Sequence, residues 1–180
     1  AMLTPEGLRQ EFEMVKQGTG RPFNVNFFVH KVPAVDAARD ARWRKRLAAY
    51  YGELGVALDA KGPSRAAFDA SSCDLVLEFA PKVASFHFGL PDRALMNRLK
   101  AAKILILSSA TTAEEARWLE GEGVDAVIAQ GAEAGGHRGM FLTEDLTTQV
   151  GTFALLRQIL QAVRVPVIAA GGIVDAKGVA

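Results

Sequence analysis

One cysteine, Cys73, occurs in 180 residues. A single thiol excludes an intrachain disulfide, and cysteine usage this sparse makes the cytoplasm the default location. Long apolar runs are lacking too. No uncharged stretch approaches the roughly 20 residues that a membrane helix needs, so no membrane span is expected. Charge of one sign is also missing: 21 Lys and Arg stand against 20 Asp and Glu, a formal net charge of +1. A balanced surface gives no electrostatic case for nucleic acid or an anionic membrane as partner. Near the N-terminus, Glu6, Arg9, Glu11 and Glu13 interrupt any apolar core that a signal peptide would need. There is no internal repeat and no low-complexity tract. Only three histidines are present, so each one stands out.

What is present is ordinary for a globular domain with a sizeable core: 49% hydrophobic and 23% charged residues. Five short apolar runs bounded by turn residues read as strands buried on both faces: Phe23–Val29, Val83–Phe88, Ile104–Leu107, Ala126–Ala129 and Val165–Ala170. Helical patterns lie between them. Thr4–Pro5 opens a helix with Leu8, Phe12 and Val15 on one face. Asp92 caps a helix carrying Leu95 and Leu99. Thr112 with Glu115 predicts a capping box, and Gly121 or Gly123 the end of that helix. Leu156, Ile159, Leu160 and Val163 form an i, i+3, i+4, i+7 stripe. Alternating strands and helices define an α/β fold with a parallel sheet. Pro33–Pro81 differs, reading as a helical insertion without a clear strand. Its basic cluster, Arg39, Arg42, Arg44, Lys45 and Arg46, reads as a solvated helix face rather than a phosphate site. Trp43 and Trp118 read as packing anchors, and Cys73 as a small core residue.

In such folds the chemistry follows the carboxyl ends of the strands. After the fourth run comes Gln130–Gly139, QGAEAGGHRG, with Gly131, Gly135, Gly136 and Gly139 close together. Glycines let a backbone approach a ligand and present its amides. His137 lies among them. Histidine is the only side chain whose unperturbed pKa, about 6.5, serves acid and base roles near neutrality. A solvated surface histidine is the plain alternative. Glu133 and His137 do not predict a metal site, because the glycines disfavour the helix that would pair them. Gly171–Gly172, leading from the last strand into a helix, predicts amides at a helix N-terminus, a phosphate site, or simply tight packing. Asn24 and Asn26 share a strand face and need hydrogen-bond partners, from a cofactor or from neighbouring backbone. His87 reads either as a cavity-facing residue or as a packed core histidine. His30 reads as an exposed turn residue. Ser108 and Ser109 lack the glycine-flanked turn of a hydrolase nucleophile.

Arg21–Asn26 (RPFNVN), Ser85–Pro91 (SFHFGLP), Gln130–Gly139 and Pro166–Ile173 (PVIAAGGI), in that order, resemble the nitronate monooxygenases of the bacterial class I type, formerly 2-nitropropane dioxygenases. The likeness covers nearly the whole chain. The EAGGH block with its upstream Gln is the specific part; AAGGI is shared by many flavin barrels. The resemblance implies a TIM (β/α)8 barrel that binds FMN and oxidises alkyl nitronates, of the propionate 3-nitronate type, with O2. It implies that His137 is catalytic and that Asn26, Gln130, Gly135 and Gly172 contact FMN, with adjacent Gly171 sharing the phosphate. The expected partners are a small nitronate or nitroalkane and O2. An FMN-dependent enoyl-acyl-carrier-protein reductase using NAD(P)H is the alternative enzyme, and a non-catalytic barrel fragment the alternative outside enzymes.

A complete barrel has eight strands and about 250 residues. Five strands in 180 residues therefore predict a partial barrel, without its first strand and its last two, holding about half of an FMN site. Open sheet edges would favour aggregation or pairing with another chain, a homo-oligomer included.

Overall fold

The computed structural model describes residues 3–32, 34–60 and 66–179. These form two compact units, residues 31–66 and the remainder.

In the larger unit five strands alternate with helices. The order is α1 (Pro5–Gly18), β1 (Asn24–Phe28), α3 (Ala70–Phe79), β2 (Val83–His87), α4 (Arg93–Ala101), β3 (Leu105–Ala110), α5 (Ala113–Glu122), β4 (Ala126–Gln130), α6 (Thr152–Ala162), β5 (Val167–Ala170) and the short α7 (Ala176–Val179). The strands pair in parallel in the order β1-β2-β3-β4-β5. A doubly wound sheet would reverse its order at a switch point. This one runs in sequence order with no reversal, as the wall of a barrel does.

Period two divides the sheet faces. Phe27, Ala84, Phe86, Ile106, Val127 and Ala129 point one way and join the helices in one core with Phe12, Val76, Leu99, Leu119, Leu155 and Ile159. The alternate positions carry Asn24, Asn26, Ser85, His87, Leu105, Ser109, Gln130 and Ile168. Leu105 is 44% and Ile168 46% exposed, whereas Ser85, Ser109 and Gln130 are buried, so that face, the interior side of a barrel wall, is partly open. The protein is thus a partial (β/α) barrel.

The caps follow the sequence. Thr4 accepts the Gly7 amide, Asp92 the Leu95 amide and Thr112 the Glu115 amide, at 2.9–3.2 Å. Gly123, at φ +85°, closes α5. Three expectations need correction. The Glu115 side chain does not return to Thr112, so there is no reciprocal capping box. The stripe on α6 is turned by one residue: Leu155, Ile159 and Val163 are buried, whereas Leu160 is 54% exposed. Trp118 is only partly covered, against Phe141 at 5.2 Å. Cys73 is buried, which pushes its thiol pKa up.

The smaller unit holds α2 (Ala37–Glu53), capped by Asp36 on the Arg39 amide. No residue of α2 is buried, so Trp43 is not a packing anchor. Arg44 donates to the Leu58 carbonyl. Between Pro33 and Pro81, Pro33 itself and residues 61–65 lie outside the described residues. The described part of that stretch contains α2 and α3 and no strand. No helix among the described residues is long and apolar enough to cross a membrane.

Candidate active site

The carboxyl edge of the sheet is marked by Phe28, His87, Ala110, Gln130 and Ala170. The segment from Gly131 to Gly151 leaves this edge after β4, and side chains from four elements hold it.

Gln130 is buried, 6% exposed, and both ends of its amide are engaged. Its Oε1 accepts the Gly139 amide at 2.7 Å, and its Nε2 donates to the His137 carbonyl at 2.9 Å. Arg138 closes the same loop from the other side, donating to the carbonyls of Gln130, Gly131 and Ala132 at 2.8–3.2 Å. Glu133 accepts the Thr152 amide and hydroxyl, both at 2.8 Å. Gly151, the N-cap of α6, has no side chain to offer, so the loop supplies the cap. The Thr152 hydroxyl, and next its amide, hold the Glu133 carboxyl below the usual carboxylate range.

Sequence reasoning assigned Glu115 only a capping task, with no sign that it holds the loop. It is fully buried, with Oε2 accepting from the Thr111 amide and hydroxyl and Oε1 from the amides of Phe141 and Leu142, at 2.6–3.2 Å. Four donors replace the water that a buried carboxylate gives up. The i+3 spacing from Thr112 did signal the residue. Its partners across the fold, 26 and 27 residues away, carried no local signal.

The loop glycines have separate reasons. A Cβ on Gly131 would lie 2.0 Å from the Thr152 Oγ1, and one on Gly139 2.7 Å from the His87 Cε1. Gly136 has φ +76°. Gly135 has neither constraint: its φ is ordinary and nothing lies within 4 Å of an added Cβ.

His137 is exposed, with its ring 5.1 Å from Phe28 and 6.0 Å from Phe88. Phe88 reaches this place with φ +71°, costly backbone for a bulky side chain. His30 is half-buried rather than an exposed turn residue, its ring 6.4 Å from Phe88. His87, half-buried, bridges Ser109 and the His137 carbonyl.

Asn24 and Asn26 do share a face, and both amides donate to the Ser85 hydroxyl at 2.9 Å. Gly171 (φ +131°) and Gly172 (φ +69°) pack against the loop: an added Cβ would meet the Thr152 Oγ1 at 2.6 Å and the Glu133 Cβ at 3.3 Å respectively. The expectation of amides at a helix N-terminus is corrected here. α7 begins only at Ala176, and the Asp175 carboxylate caps it on the Gly178 amide at 2.9 Å. The structure brings Gln130, Gly171 and Gly172 to one end of the sheet around the His137 loop. Asn26 lies one layer below, in register with Ser85.

A parallel barrel wall with a glycine-rich loop and an exposed histidine at its carboxyl edge defines a half-barrel of the enzyme-bearing (β/α) class. Within that class the chain belongs to the nitronate monooxygenase family, whose model matches residues 1–180. It is 41% identical to a nitronate monooxygenase of Paraburkholderia phytofirmans over 99% of this chain and 50% of that protein. Against the Pseudomonas aeruginosa nitronate monooxygenase it is 42% identical over 89% and 47%. The structure is similar to nitroalkane oxidase from Streptomyces ansochromogenes, with TM-score 0.80, 38% identity, and coverage of 93% of this chain and 48% of that one. FabK from Thermotoga maritima is more distant, with TM-score 0.64 and 26% identity over 98% and 42%. The chain spans about half the length of the curated relatives it matches.

Proposed function

We propose that this chain carries the substrate loop and part of the cofactor cradle of an FMN-dependent oxidation of alkyl nitronates by O2. The observation that carries this reading is the state of His137: its main chain is tied down from two sides while its ring stays exposed beside Phe28 and Phe88.

The residues fit a flavin at one informative point. The fold itself gives no reason for glycine at Gly135, and a ligand lying close to the backbone would supply one. Gly135 would give such a ligand its backbone face, and Gly171 and Gly172 would offer turn amides to a phosphate. Gln130, which also holds Gly139 and His137, and Asn26 would stand beside the cofactor. FMN, when bound, supplies the electron transfer.

The chain's own groups then have plain tasks. As a cation, the His137 ring pairs with a nitronate anion by charge-assisted hydrogen bonding. As a neutral base, a ring nitrogen accepts the α-proton of a nitroalkane. Phe28 and Phe88 flank it with apolar surface that takes up the alkyl part of the substrate and excludes water.

The test is oxygen uptake. Purified protein supplied with FMN should consume O2 when propionate 3-nitronate is added without NADH. Reduction of an enone that needs NADH, with no oxygen uptake, would instead favour an enoyl-acyl-carrier-protein reductase. Protein that takes up no FMN would leave a non-catalytic barrel segment.

A further inference from the structure

His87 is the second of the three histidines to reach the carboxyl edge of the sheet, and the reading above gives it no task. Its surroundings are specific. Nε2 lies 3.0 Å from the main-chain carbonyl of His137, and Nδ1 lies 3.0 Å from the Ser109 hydroxyl. A carbonyl only accepts, so Nε2 must carry the hydrogen. In the neutral ring Nδ1 is then the acceptor and the Ser109 hydroxyl the donor. Burial lowers the pKa of His87 and so favours that neutral form. The ring also occupies the space that a side chain on Gly139 would need: an added Cβ there would sit 2.7 Å from Cε1 and 3.1 Å from both ring nitrogens. Gly139 is therefore glycine because of His87. Further contacts clamp the ring, Phe88 at 4.8 Å and Phe28 at 5.6 Å.

We infer that His87 is a positioning residue: in its Nε2-protonated tautomer, set by Ser109, it fixes the His137 main chain and thereby the reach of the His137 ring. The carbonyl of His137 accepts from two side chains, His87 on β2 and Gln130 on β4. These come from non-adjacent strands, so together they fix the carbonyl in two directions. This role rests on His137 being the residue that meets substrate, but its structural part can be read without flavin or substrate.

Two measurements test it. First, long-range 1H–15N correlation of the wild-type protein should show His87 with a protonated Nε2 and an unprotonated Nδ1. The opposite tautomer would overturn the proposal, whatever any variant does. Second, amide exchange at Gly139, whose N–H is held by Gln130, should quicken about tenfold in His87→Ala, the effect of losing roughly one hydrogen bond. His87→Gln should recover most of that protection, because its amide can still donate to the His137 carbonyl. Unchanged exchange in His87→Ala, or no recovery in His87→Gln, would contradict the assignment. Absence of oxygen uptake by wild type would remove the nitronate reading and leave these two results standing.

Discussion

At the residue scale, His137 is attached to the fold through its carbonyl, not its ring. Replacing the ring should therefore leave the latch intact. His137→Asn is expected to keep stability within about 0.5 kcal/mol in urea unfolding. It should lose roughly 10²- to 10⁴-fold in turnover of neutral nitroalkanes, whose α-proton needs a base. Turnover of preformed nitronates should fall less. Equal losses on both substrates would remove His137 from the proton-transfer role. Its place at the carboxyl edge was legible because the glycine-rich loop follows an apolar strand. Its supports were not. His87 is 50 residues away, and nothing in the sequence showed that the Gln130 amide holds the Gly139 amide and the His137 carbonyl. The loop glycines also looked alike in sequence, and only an added Cβ distinguishes those that serve packing from Gly135.

At the element scale, caps and strands were legible because their determinants are local: Thr4, Asp92 and Thr112 each act three residues ahead. What failed depended on distant partners. Glu115 has the spacing of a capping box, yet its carboxylate serves Thr111, Phe141 and Leu142 and ties the loop after β4 to the start of α5. The stripe on α6 is turned because Leu155, not Leu160, meets the sheet. The start of α6 depends on Glu133, and this gives a pH signature. Its folded pKa is lowered, so it contributes stability that is fully present above the ordinary carboxylate range and lost as pH falls through the folded value. Thermal midpoints of wild type and Glu133→Gln should differ at pH 7 and converge in acid. A gap that persists unchanged below the carboxylate range would show that the contact is not electrostatic in origin.

At the scale of the whole molecule, alternating strands and helices were enough to read a parallel α/β sheet; the barrel was implied by the family resemblance, and pairing of the five strands in sequence order agrees with it. The unfilled face was legible only through the strand count: Asn24, Asn26, Leu105 and Ile168 lie on a sheet surface that a closed barrel would enclose. The site is assembled at one end of that wall, where the loop from Gln130 to Gly139 is proposed to cradle FMN. The most direct measurement is an FMN titration, followed by flavin fluorescence, of wild type and Gly135→Ala. Wild type should bind saturably. Affinity should be weakened about tenfold or more in Gly135→Ala, roughly 1.4 kcal/mol, with the unfolding midpoint unchanged. Binding of equal affinity by the variant, or no binding by wild type, would contradict that proposal.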